Sequence, residues 1–162
     1  MKHNVLITQG MRPFAHRVAK KLSAVCIPLF GSAEEIPYVL INGGNFTTIP
    51  PANAPAFIHE VLKICLDREI SAVIPLGAQE LYPMAEARQL FSEYGVDIWV
   101  PPATVLAGLP VFENPSRELP LTILSGGRVI AGGNVGQQFE SLSGVFTSSD
   151  SGEEWALCCI AD

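Results

Sequence analysis

The chain has 162 residues and a mass of 17.4 kDa, enough for one ordinary domain with a core and at most an appendage. Hydrophobic residues make up 48% and charged residues 16%, with 14 glycines and 13 prolines, which excludes a disordered tail or a collagen-like repeat and predicts a turn-rich globule. Ten Lys and Arg against sixteen Asp and Glu give a formal net charge of -6, which disfavours a nucleic-acid partner held by phosphate attraction.

In chain order, residues 5–8 form a short apolar, β-branched run and predict a strand. A Gln9-Gly10-Met11-Arg12-Pro13 turn follows, and then a helix through Leu22. Phe14, Val18 and Leu22, with Ala15 and Ala19, make the apolar stripe of that helix, and Arg12, His16 and Lys20 the polar one. Residues 24–29 predict the second strand. Residues 37–41 and 46–49 are expected to be extended, separated by an Asn42-Gly43-Gly44-Asn45 turn. A helix is predicted from residue 53 or 54 to Arg68, with Pro55 in its first turn and Phe57, Ile58, Val61, Leu62, Ile64 and Cys65 in helical period. Residues 71–76 predict a wholly buried strand, Gly77-Ala78 its exit turn, 79–94 a helix closed by Gly95, and 97–100 a further strand stopped by Pro101-Pro102.

Strands alternating with helices of this length imply an α/β, Rossmann-like parallel sheet with helices on both faces, because parallel neighbours need right-handed crossovers. The pattern changes after Thr104: eight of the fourteen glycines lie from Gly108 onward and helical period disappears. Residues 119–124 and 128–131 flank a Ser125-Gly126-Gly127 turn, and residues 144–147 face 153–160 across a polar loop. The expected division is a Rossmann-like domain over residues 1–106 and a C-terminal antiparallel β-hairpin appendage over 107–162.

No run approaches the ~18 apolar residues of a membrane span, and residues 1–4 lead straight into a strand rather than a signal peptide, so a cytoplasmic location with no membrane partner is expected. Cys26, Cys65, Cys158 and Cys159 show no C-x-x-C spacing and sit in apolar runs, which reads as core packing in a reducing compartment. His3, His16 and His59 are dispersed, so no metal is expected.

In a doubly wound sheet, ligands bind beyond the carboxyl ends of the strands, which selects the loops at residues 9–12 and 77–80. The candidate ligand-binding residues are Gln9, Gly10, Arg12, Gly77, Gln79 and Glu80. Gly10 stands alone where a dinucleotide fingerprint needs G-x-G-x-x-G, and no acid follows the second strand, so classical NAD binding is disfavoured and no cofactor is expected. A helix start beside Arg12 could hold a small anion; a simple turn at Gly10 with a solvated Arg12 is the competing reading. Glu80 at a helix start is explained equally by capping of free backbone amides. No Gly-x-Ser-x-Gly elbow or Cys-His arrangement nominates a catalytic residue.

The run from Arg68 to Leu81, which includes Ala72-Val73-Ile74-Pro75-Leu76-Gly77-Ala78-Gln79-Glu80, is followed by a helix and Gly95-Val96-Asp97-Ile98-Trp99-Val100-Pro101. It resembles the pre-ATP-grasp N-terminal domain of carbamoyl-phosphate-synthase-like ATP-grasp ligases over roughly residues 4–106. Two features depart from the family pattern. The acid of its strand-end loop is absent from Gly77-Ala78-Gln79, and its Asp-Lys has no counterpart in Ala107-Gly108-Leu109-Pro110. The 56 residues after Leu106 are too few for the two-lobed nucleotide-binding unit. The resemblance therefore implies a non-catalytic module that acts through protein contacts, as one half of a split ligase whose ATP-grasp subunit is a separate chain, or as a homodimer. A small-molecule-binding regulatory protein, taking a nucleotide or carboxylate at the two loops, is the alternative. The last strand adds to the first reading: Trp155, Leu157 and Cys159 share one face and Ala156, Cys158 and Ile160 the other, both largely apolar. Its hairpin is expected at a subunit interface unless the tail folds back onto its own domain.

Overall fold

The computed structural model describes residues 2–132, 142–148 and 155–161. The first half is a five-stranded parallel sheet built from β1 (His3–Ile7), β2 (Cys26–Ser32), β3 (Phe46–Thr48), β4 (Ala72–Ile74) and β5 (Asp97–Ile98) in the order β3-β2-β1-β4-β5. Helix α1 (Pro13–Lys21) joins β1 to β2 and packs with Val5, Ile7 and Ile74 on one face of the sheet. Helices α3 (Phe57–Asp67), α4 (Leu81–Glu86) and α5 (Arg88–Glu93) pack with Leu6, Val73 and Ile98 on the other. The faces follow from the strand period of two: Leu6 points one way, Val5 and Ile7 the other. The sequence expectation of a Rossmann-like sheet with helices on both faces is met.

Three local expectations are corrected. Residues 37–41 are not extended: α2 (Tyr38–Asn42) is a short helix, with Leu40 and Ile41 amides bonded to the Pro37 carbonyl. Pro37 lacks an N–H and has φ fixed at -55°, which suits a helix start. The helix predicted over 79–94 is divided into a 3₁₀ turn (Ala78–Glu80), α4 and α5. Pro83, which has no amide to bond backwards, lies in the first turn of α4, and the Ala87 amide is shared between the carbonyls of Pro83 and Met84. Helix α3 begins only at Phe57, because tight turns through Ala54 and Ala56 take up the residues around Pro55. Gly95, with φ +78°, closes α5 as expected for a left-handed C-terminal residue.

After a short α6 (Ala103–Leu106), the chain forms a second five-stranded sheet from β6 (Val111–Glu113), β7 (Thr122–Ser125), β8 (Arg128–Ala131), β9 (Gly144–Ser148) and β10 (Trp155–Cys159), ordered β6-β10-β9-β7-β8. Both predicted hairpins are present as antiparallel pairs, β7 with β8 and β9 with β10. Gly126 and Gly127 turn the first of them at φ +58° and +84°, the left-handed pair that a two-residue hairpin loop needs. Of the polar loop predicted over residues 148–152, Ser148 ends β9, and residues 149–154 lie outside the described residues. Sequence reading missed two features. β6 pairs in parallel with β10, and β9 bonds to β7, so the hairpins fuse into one mixed sheet.

That sheet is not a loose appendage. Leu124, Phe146, Leu157 and Cys159 join the core of α3, α4 and α5, while Leu121, Ile123, Val145, Cys158 and Ile160 join the core of α1. The two faces of β10 alternate as the sequence indicated: Leu157, Cys158 and Cys159 are buried within one chain, and Trp155 and Ala156 are partly buried. Most of the apolar surface of β10 is therefore covered by its own chain. A backbone seam fixes the sheets together: the Ile160 amide donates to the Leu76 carbonyl at 2.7 Å, and the Ala78 amide to the Ile160 carbonyl at 2.9 Å. All four cysteines are buried. Among the described residues no helix is long and apolar enough to cross a membrane.

Candidate functional site

Strand order reverses between β1 and β4, since α1 and α4 leave toward opposite faces, so the loops after these two strands flank the switch point where such folds take ligands. The site is built around one carboxylate. Glu80 is 4% exposed. Its Oε1 accepts from the Thr8 hydroxyl and from the Gly77 amide at 3.1 Å, and its Oε2 accepts from Gln9 Nε2 at 3.0 Å. Thr8 Oγ1 in turn accepts from the Leu76 amide at 2.8 Å. One carboxylate thus ties the carboxyl ends of β1 and β4 together and reaches back to an amide at the start of its own turn.

Both loop glycines are explained by crowding rather than by a phosphate cradle. A Cβ on Gly77 would lie 2.5 Å from Gln9 Nε2 and 3.0 Å from Glu80 Cδ. On Gly10 it would lie 2.7 Å from the Phe30 Cβ, because the Gly10 amide bonds to the Gly31 carbonyl at 2.9 Å and draws the loop onto β2. His16 locks the same spot, with Nε2 2.8 Å from the Gly10 carbonyl oxygen and its ring stacked on Phe30 at 4.3 Å. Gln9 adopts φ +56°, a left-handed conformation that costs a non-glycine residue energy and turns its amide toward Glu80.

Of the six candidate residues, the structure brings Gln9, Gln79 and Glu80 to one cleft of about 230 Å³, closed by Ala33 and residues 51–53. Gly77 lies directly beneath, against Gln9 and Glu80. Arg12 is elsewhere: its Nε pairs with Glu34 Oε2 at 3.1 Å on the surface, with both side chains about half exposed. An acid from this chain therefore stands beside the cation at the start of α1. The cleft lining carries Glu80 and no Lys, Arg or His. Sequence reading missed Thr8, which belongs to the network, and Asn53, which lines the cleft from the loop before α3. Thr8 was visible as the polar end of an apolar strand; Asn53 carried no signal of its own. Among the described residues no group of three His, Cys, Asp or Glu side chains gathers to hold a metal.

Burial pushes the thiols of Cys65 and Cys158 up to about 12 and raises that of Cys26, so none is poised as a nucleophile near neutral pH.

A parallel sheet of this order with a switch point between β1 and β4 defines a Rossmann-like α/β unit. Residues 39–99 match the family of PylC-like N-terminal domains. The match runs from α2 to Trp99, just beyond β5, and takes in Gly77, Gln79 and Glu80; Gln9, Gly10 and Arg12 lie before it. No curated protein matches the chain.

Proposed function

We propose that this protein is a non-catalytic module of the pre-ATP-grasp type that acts through protein contacts, either docked on an ATP-grasp catalytic subunit carried by another chain or as a homodimer. The observation that carries this reading is the closed switch point. Where a doubly wound fold would take its ligand, the Glu80 carboxylate is engaged by Thr8, Gln9 and Gly77, and the remaining cleft, about 230 Å³ without a cation, suits a nucleotide poorly. The match of residues 39–99 to PylC-like N-terminal domains supports the relation to ATP-grasp ligases. Helix α2 offers a surface for such contacts: Tyr38 and Val39 are 78% and 74% exposed, beside the edge strand β3.

Calorimetry of the full chain with ATP and Mg²⁺ is expected to give no binding heat. Light scattering, alone and with a separately produced ATP-grasp chain from the same genome neighbourhood, is expected to reveal an assembly that Val39→Asp weakens. Micromolar ATP binding, or a monomer that forms neither complex, would refute the proposal. A second reading, small-molecule binding at the same cleft, is favoured by the side-chain amides of Gln9, Asn53 and Gln79 in its lining. Such a ligand would be neutral or cationic, since the charged group there is a carboxylate.

A further inference from the structure

A cavity larger than the switch-point cleft lies at the opposite end of the parallel sheet. Its volume is about 520 Å³, inside the range of about 300–1,000 Å³ typical of small-molecule sites, whereas the switch-point cleft falls below it. Its origin is topological. Helix α1 covers β1 and β2 on one face, the second sheet covers the region of β4 and β5 on that same face, and the two covers leave a gap over the amino ends of the strands. The floor is a row of side chains from four neighbouring strands: Cys26 of β2 pairs in register with His3 of β1, and Ala72 of β4 with Asp97 of β5. His3 and Asp97 share the face of Val5 and Trp99, two residues further along their strands. Val25 forms one wall. A further part of the lining comes from β8, the edge strand of the second sheet, through Arg128, Val129 and Ile130.

Three features mark this cavity as more than a packing defect. Val25 and Val129 both line it at 39% and 40% exposure, apolar surface that stays open in the described chain. Trp99, 8% exposed, closes it with an aromatic surface. Asp97 and Arg128 stand at the same cavity with opposite charges, and among the described residues neither forms an ion pair.

We propose that this cavity binds a small zwitterion, an ammonium and a carboxylate on an apolar body, as in an α-amino acid with a bulky apolar side chain. Arg128 receives the carboxylate through its planar fork of donors, Asp97 receives the ammonium, and the apolar body lies between Val25, Trp99 and Val129. A simple anion would meet the Asp97 carboxylate, and a simple cation would meet the Arg128 guanidinium, so only a ligand carrying both charges satisfies both residues. This inference is independent of the role proposed for the switch-point face.

The test is calorimetric titration of the full chain with L-phenylalanine, and with phenylacetate and phenethylamine, which each keep one charge. L-Phenylalanine is expected to bind saturably, and the single-charge analogues, Arg128→Gln and Asp97→Asn are each expected to weaken binding by about tenfold or more, the loss of one charged hydrogen-bonding partner. Arg128 and Asp97 are exposed, so both variants are expected to keep the parent melting temperature. In a proton–nitrogen correlation spectrum the Trp99 indole resonance is expected to shift on binding. No saturation by L-phenylalanine or L-leucine at about 10 mM would overturn the proposal. So would equal affinity for phenylacetate, or affinity unchanged in both variants.

Discussion

Replacing Glu80 distinguishes a carboxylate that holds the fold together from one held ready for a ligand. Glu80→Ala removes the acceptor of the Thr8 hydroxyl, the Gly77 amide and the Gln9 side chain at once. Each donor left without a partner in a buried place costs about 1–3 kcal/mol; because the three share one network their losses do not add fully, and the total is about 3–5 kcal/mol. That is a large part of the ~5–15 kcal/mol that stabilises an ordinary domain. Glu80→Gln keeps one oxygen for Thr8 and Gly77 and sets its NH₂ against Gln9, whose amide can turn over to present its own oxygen. The cost of that exchange is about 1 kcal/mol. A residue kept for ligand binding behaves oppositely, since relieving a site of its functional group often raises stability. Urea unfolding followed by tryptophan fluorescence measures the difference, and Thr8→Val combined with Glu80→Gln gives the coupling between the partners. A Glu80→Ala protein within about 1 kcal/mol of the parent would refute the structural assignment.

Two further expectations follow from the crowding and the burial. Gly10→Ala places a methyl group 2.7 Å from the Phe30 Cβ, which has no flexible end to yield, and is expected to cost about 1–3 kcal/mol; an unchanged melting temperature would show that the loop is not seated on β2. Cys65 and Cys158 titrate at about 12 in the folded chain against an ordinary value of 9.0, so above pH 9 the unfolded chain holds fewer protons than the folded one. Stability is expected to be level below about pH 8 and to fall between about pH 9 and 12, by up to about 1.4 kcal/mol per pH unit for each thiol. Cys65→Ala is expected to make that slope shallower, and an identical slope in the variant would remove the thiol as its source.

The parallel half of the fold was legible because its signals are local. Leu6 against Val5 and Ile7, the apolar stripe of α1 and the buried run 72–76 each state their own environment. What escaped notice depends on distant partners. Strand β6 is three exposed residues whose pairing is settled by β10, more than forty positions away, and nothing within Val111–Glu113 announces it. Residues 37–41 have a strand-like composition, but α2 buries none of its side chains, so the start set by Pro37 decides the local structure. At the site, Glu80 and Gln9 were readable as polar groups in strand-end loops. Their bond to each other was not, because it closes across 71 positions. Arg12 was misleading for the same reason: Glu34, its partner, is 22 residues on.

The second sheet bears on what must be kept intact for any of these measurements. Five buried residues from it and its flanking segments, Leu121, Ile123, Val145, Cys158 and Ile160, lie in one core with Ile74, Leu76 and Trp99, and five more, Leu124, Leu142, Phe146, Leu157 and Cys159, lie in the other. Cutting the chain at Leu106 would expose the surfaces of the first sheet that these residues cover. Uncovering the equivalent of even three large apolar side chains, at about 1.5–3 kcal/mol each, approaches the whole stability of a domain. The cut would also free the Leu76 carbonyl and the Ala78 amide from Ile160, at the base of the turn that carries Glu80. It would remove Arg128 and Val129, part of the lining of the amino-end cavity. The fragment 1–106 is therefore expected to lack fixed tertiary packing, with a weak near-ultraviolet circular dichroism signal and strong binding of a hydrophobic dye. A cooperative unfolding transition in that fragment would show that the parallel sheet is self-sufficient. Failure of the fragment to fold would mean that the cleft, the cavity and the contact surface of α2 all rest on two sheets sharing their cores.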